Sequence, residues 1–117
     1  MKKIIVTLTV LACIYVGYRT YRILTLDRGL DKLIKQGAVI LDVRTEKEFK
    51  TGHIEGAVNM PLSRLGKDSL PFDKNQTIIT CCSHGLRSVK AVEKLKSRGY
   101  HKVYNGGAWN DLQSSKP

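Results

Sequence analysis

A chain of 117 residues has room for one domain, and 42% hydrophobic with 26% charged residues excludes wholesale disorder. The formal net charge of +10 arises from 20 lysines and arginines against 10 acids. The basic residues are scattered, with no basic helix, no aromatic-and-basic platform and no zinc spacing. The charge therefore reads as a solvated surface suited to small anions, not as a nucleic-acid groove.

The chain opens with "MKKIIVTLTVLACIYVGYRTYR". Two lysines precede an apolar run over residues 4–18, which would span about 22 Å as a helix against a hydrocarbon core of roughly 30 Å. Tyr18 and Tyr21 suit a membrane interface, and Arg19 and Arg22 can snorkel to it. An uncleaved anchor is the expectation. A cleaved signal peptide lacks an A-x-A site, a lipoprotein signal ending at Cys13 is followed by more apolar residues, and a core helix would not be apolar all round. Charge gives no orientation, since Lys2 and Lys3 flank one side and Arg19, Arg22 and Arg28 the other.

From Asp27 onward helix and strand signals alternate. "DRGLDKLIKQG" sets Leu30, Leu33 and Ile34 on one face and stops at Gly37. "AVILDV" has the length and apolarity of a strand buried on both faces. "TEKEFKTG" opens with a capping box, Thr45 with Glu48. "GAVNMP" predicts a short strand closed by Pro61, and "DKNQ" at 73–76 a turn. "TIITCC" predicts a second buried strand, and "SVKAVEKLKSRG" a helix with Val89, Val92 and Leu95 on its apolar stripe. "KVYN" predicts a strand, "GG" a turn and "AWNDLQ" a closing helix. Strands separated by helices imply an α/β fold with a parallel sheet.

"CCSHGLRS" follows a strand and feeds a helix. Ligands of open parallel sheets bind beyond the carboxyl ends of the strands. A loop there offers backbone N–H groups and the positive end of a helix dipole, which favour anions, a thiolate included. Gly85 permits the tight turn and Arg87 closes the loop with a permanent charge. Strand neighbours point to opposite faces, so one cysteine faces the loop while the other packs in the core. Cys82, at the start of the loop, is the expected nucleophile, and Cys81 the core residue. A disulfide between them is disfavoured by adjacent Cα atoms about 3.8 Å apart, against a usual range of roughly 4.4–6.8 Å. Counted from Cys81, however, "CCSHGLR" also fits the C-x5-R pattern of phosphatases and arsenate reductases.

"LDVRTEKEFKTGHIEGAVNMPL", with "CSHGLRS" and "GYHKVYNGGAW", resembles the rhodanese domain family over residues 27–113. The small size and "VYNGGAWNDL" are similar to the single-domain phage-shock-protein E type of thiosulfate sulfurtransferase. The organisation expected is a membrane anchor over 1–24 and a rhodanese domain over 25–117. The resemblance implies a central parallel sheet flanked by helices and a cysteine that takes a sulfane sulfur, becomes a persulfide and passes the sulfur on. It places the nucleophile at Cys82 and the anion-binding loop at Ser83, His84, Gly85, Leu86 and Arg87. Asp42 and Arg44 take supporting places at the end of the first strand. His53 falls at a packing position, and Trp109 reads as packing on the last helix. Glu48 stands where a cation would help to grip thiosulfate.

The chemistry needs neither cofactor nor metal, and three cysteines and three histidines occur without ligand spacing. The expected partners are a small sulfur anion such as thiosulfate, an acceptor (thiol, cyanide or protein) and a membrane through residues 4–18, with no nucleic acid. The resemblance tilts localisation towards a single-pass inner-membrane protein with its domain on the extracytoplasmic side. The alternatives are the phosphatase or arsenate reductase using Cys81 and a non-catalytic, membrane-tethered rhodanese binding module.

Overall fold

The computed structural model describes residues 1–115; the last two residues of the expected domain lie outside them. The chain starts with a helix, α1 (Lys2–Thr25), that runs on past the apolar stretch and has no buried residue. Among the described residues it is the one helix long and apolar enough to cross a membrane. There follow α2 (Leu30–Lys35), β1 (Val39–Asp42), α3 (Glu46–Thr51), β2 (Val58–Asn59) and α4 (Leu62–Leu65). Then come β3 (Ile78–Cys82), α5 (Leu86–Ser97), β4 (Val103–Ala108) and α6 (Trp109–Ser114).

The four strands form one parallel sheet in the order β2-β1-β3-β4. β1 and β3 are therefore central, and their C-terminal ends carry Asp42 and Cys82. Alternation along β3 sorts its side chains between two apolar layers. Ile78 and Cys82 pack with Leu41, Leu65, Ala91 and Leu95 on the α4/α5 face. Ile79 and Cys81 pack with Leu30, Ile40, Ile54 and Leu112 on the α2/α6 face. The short helix α3 owes its start to the expected capping box: Glu48 N–H donates to Thr45 Oγ1 at 3.2 Å, and Thr45 N–H to Glu48 Oε1 at 3.2 Å.

Two features depart from the sequence reading. The single turn α4 was not expected; it starts directly after Pro61, a residue read only as closing a strand. The "GG" pair is not a turn but lies inside β4. Thr80 pairs with Asn105 and Cys82 with Ala108, so β4 carries an extra residue, a β-bulge. Glycine is required at 106 by contact: a Cβ there would sit 2.6 Å from the Thr80 carbonyl oxygen and 2.8 Å from Ile79 Cγ2. The pair thus brings β4 hard against β3 beside the loop.

The end of α1 is tied to this bulge. Asn105 N–H donates to Asp27 Oδ2 at 2.7 Å, and its amide donates to the Thr25 carbonyl at 2.7 Å. Asp27 N–H donates to the Asn105 carbonyl at 3.2 Å, and Gly107 N–H to Asn105 Oδ1 at 3.0 Å.

Candidate active site

The loop over residues 83–87 joins β3 to α5 and is pinned at both ends. Thr80 Oγ1 donates to the Ser88 carbonyl at 2.9 Å, and Ser88 Oγ donates to the Gly85 carbonyl at 3.0 Å. Gly85, the residue before α5, has φ +95°, a left-handed conformation that favours glycine. Its N–H thereby turns inward and donates to Cys82 Sγ at 2.9 Å. Cys82 is 1% exposed, so its sulfur lies at the bottom of the loop and not on the surface.

Cys81 has a different environment. It is fully buried in the α2/α6 layer, among aliphatic side chains and away from the loop. Burial pushes its thiol up, and the neighbouring Asp42 carboxylate and Cys82 push it further, against a smaller opposing effect of Arg44. A thiol held protonated at neutral pH is a poor nucleophile.

Arg87 closes the loop, but its charge is already engaged. It forks onto Glu48, Nη1 to Oε1 at 2.7 Å and Nη2 to Oε2 at 2.9 Å, and Nη2 also donates to Ser83 Oγ at 2.8 Å. Ser83 Oγ in turn donates to Glu48 Oε2 at 2.9 Å. The Arg87 guanidinium holds the Glu48 carboxyl far below the usual carboxylate range, helped by the Thr45 N–H and Ser83 and opposed by partial burial. Glu48 therefore fastens the loop from the side of α3. Its place in the capping box already accounts for it locally, so nothing in the local pattern signals this second role.

Asp42 and Arg44 form a brace under the loop. Asp42 is fully buried and Arg44 is 4% exposed. Arg44 Nε donates to Oδ1 at 2.9 Å and Nη2 to Oδ2 at 2.7 Å; Nη2 also donates to the Gly52 carbonyl at 2.7 Å. The Asn59 amide donates to the carbonyls of both Asp42 and Arg44. The guanidinium lies 4.9 Å from the Trp109 ring centre, which gives Trp109 its packing role. Such a pair, desolvated and joined by bonds from both Nε and Nη2, positions backbone.

His84 and Leu86 point outward; Leu86 is 49% exposed. His53 stacks on Phe49 with ring centres 3.7 Å apart, and its Nδ1 is 2.7 Å from the Phe49 carbonyl oxygen. On the side of the loop away from Glu48 sits α1, which sequence reasoning had given only to the bilayer. Tyr18 Oη donates to the His84 carbonyl at 3.1 Å, and Arg22 pairs with Asp111 at 2.8 Å. Among the described residues no group of three or more His, Cys, Asp or Glu side chains is placed to hold a metal ion.

A parallel sheet with a cysteine at the tip of a central strand and a glycine-turned loop capping it defines a known class. The sequence model of the rhodanese-like domain matches residues 26–112, and the chain belongs to that family. Among curated relatives it is 34% identical over 79 residues to thiosulfate sulfurtransferase PspE of Escherichia coli (strain K12), covering 65% of this chain and 75% of that protein. It is 29% identical over 100 residues to thiosulfate sulfurtransferase GlpE of Pseudoalteromonas translucida (strain TAC 125), covering 82% and 95%. Among solved structures, the human single-domain sulfurtransferase TSTD1 superposes with a TM-score of 0.65 at 26% identity, over 75% of this chain and 92% of that one.

Proposed function

We propose that the protein is a sulfurtransferase that works through a persulfide on Cys82, tethered to a membrane by α1. The names of its relatives support sulfur transfer in general; the cysteine, the intermediate and the tether are our reading. The observation that carries it is the Gly85 N–H aimed at Cys82 Sγ at 2.9 Å, in a loop that opens the 12-residue helix α5. That donor and the helix dipole stabilise a negative sulfur without a metal.

The reaction takes two steps. The Cys82 thiolate attacks the outer sulfur of thiosulfate, the sulfur–sulfur bond breaks, and sulfite leaves with the bonding electron pair. Cys82 then carries a terminal sulfur anion within reach of the loop N–H groups. A thiolate or cyanide attacks that sulfur and releases the Cys82 thiolate, so that one difficult transfer becomes two easier ones. Asp42 and Arg44 hold the strand end, while Glu48, Ser83 and Arg87 hold the loop.

The phosphatase alternative would need Cys81 in the loop, but Cys81 packs in the α2/α6 layer on the opposite face of β3 from Cys82, and its thiol is held protonated. The test is intact mass spectrometry after thiosulfate treatment, with transfer to cyanide measured in parallel. The wild type and Cys81→Ser should gain the mass of one sulfur atom and Cys82→Ser should not. Sulfur uptake that survives Cys82→Ser and disappears with Cys81→Ser would reverse the assignment. The same full-length protein should remain with membranes on alkaline extraction. We favour the extracytoplasmic face for the domain, on the likeness to the phage-shock relative.

A further inference from the structure

The loop needs a positive field to draw in an anionic sulfur donor, yet Arg87, its own cation, is forked onto Glu48. Free positive charge stands on the opposite side of the loop and comes from the anchor helix. A cavity of about 270 Å³ opens between the end of α1 and the loop, lined among others by Arg19, Arg22, Leu26, Gly85, Gly107 and Asp111. Arg22 pairs with Asp111, and Arg19 forms no ion pair among the described residues. Two cations against one carboxylate leave this cavity with one net positive charge.

Gly85 connects the cavity to the reacting atom. Its N–H holds Cys82 Sγ, and a Cβ on it would lie 3.8 Å from Arg22 Nε and 3.6 Å from Gly107 Cα. One face of this glycine belongs to the sulfur's cradle and the other to the cavity wall. Tyr18, one turn before Arg22, grips the next carbonyl of the loop, at His84.

We propose that α1 is part of the active site as well as an anchor: Arg19 and Arg22 recruit small sulfur-bearing anions into the cleft beside Gly85 and give Cys82 its preference for anionic reactants. This rests on the reading of Cys82 as the reacting thiol. Asp111 tempers the field, so it and the two arginines act with opposite sign.

The test reads charge at Cys82 without sulfur transfer. The full-length chain, with Cys13→Ser to remove the exposed thiol, is alkylated in a neutral detergent at low salt. Iodoacetate, an anion, is compared with neutral iodoacetamide of similar shape, and modification at Cys82 is followed by peptide mass. Arg19→Gln should lower the iodoacetate-to-iodoacetamide rate ratio about twofold, the effect of one unit charge at roughly 10 Å in water-like surroundings. Asp111→Asn should raise it by a similar factor, Arg22→Lys should hold it, and molar salt should bring all variants together. A role of these side chains in folding alone would move both reagents alike and could not give opposite signs. A ratio unchanged by both Arg19→Gln and Asp111→Asn overturns the proposal. Failure of the persulfide assay alongside the expected ratios would instead discard the sulfurtransferase reading and leave the cleft.

Discussion

Replacing Glu48 by Gln isolates the clasp that holds the loop from the α3 side. Glutamine can still serve the capping box with Thr45, but it loses the charge that binds Arg87 through two bonds of 2.7 and 2.9 Å. Both partners are about a third exposed, 35% and 34%, so Arg87 would be rehydrated and not stranded. The bidentate pair, discounted for solvent screening, is worth about 1 kcal/mol. For a domain of this size that lowers Tm by about 4–8 °C. Glu48→Ala also gives up the reciprocal bond from Thr45 N–H while keeping the Thr45 cap itself, and should lose about 0.5–1 kcal/mol more.

The pH dependence gives the sign. The folded Glu48 carboxyl is depressed from its ordinary 4.5, so its contribution is complete above that value and is lost as pH falls below it. The melting difference between wild type and Glu48→Gln should be full at neutral pH and shrink towards about pH 3. Trp109, the only tryptophan and stacked on buried Arg44, reports the melt by fluorescence in the full-length chain. A difference absent at neutral pH, or undiminished in acid, refutes the clasp.

Other perturbations discriminate as sharply. Arg44→Gln leaves the Asp42 carboxylate buried without its ion partner and should cost about 3–5 kcal/mol, seen as a fall in the urea midpoint. Gly106→Ala drives a Cβ into the Thr80 carbonyl and should cost about 1–3 kcal/mol or more. Gly37→Ala, with φ +95° and open space around it, should show only the left-handed penalty of about 1–2 kcal/mol and serves as the control. Hydrolysis of p-nitrophenyl phosphate by the wild type should be negligible, since Cys81 faces the core.

The sequence was most legible where structure is local. The Thr45–Glu48 box, the apolar runs of β1 and β3 and the opposite facing of Cys81 and Cys82 follow from spacing over a few residues, and all appear in the fold. What escaped is long-range. Glu48 and Arg87 are 39 positions apart, and no periodicity links a capping residue to a loop cation. Gly106 and Gly107 look like a turn because glycine pairs often are; only the approach of β3 to Gly106, and the left-handed φ of Gly107 against Leu26, show why neither carries a side chain. The polar end of α1 reads from sequence as a membrane-interface flank, a role that already accounts for Tyr18, Arg19 and Arg22 and gives no sign of the loop that Tyr18 reaches at His84, 66 positions away.

The contact of Tyr18 with His84 has a mechanical consequence. The apolar run ends at Tyr18, and at about 22 Å it is shorter than a hydrocarbon core of roughly 30 Å. With α1 as the anchor, such a mismatch is relieved by thinning the bilayer around the helix or by drawing its flanking residues inward. The loop over residues 83–87 is fastened to the first residue that would be drawn. On the proposed anchoring, its depth among the lipid headgroups, and so the pool of molecules it meets, would depend on the thickness of the surrounding bilayer as well as on the protein.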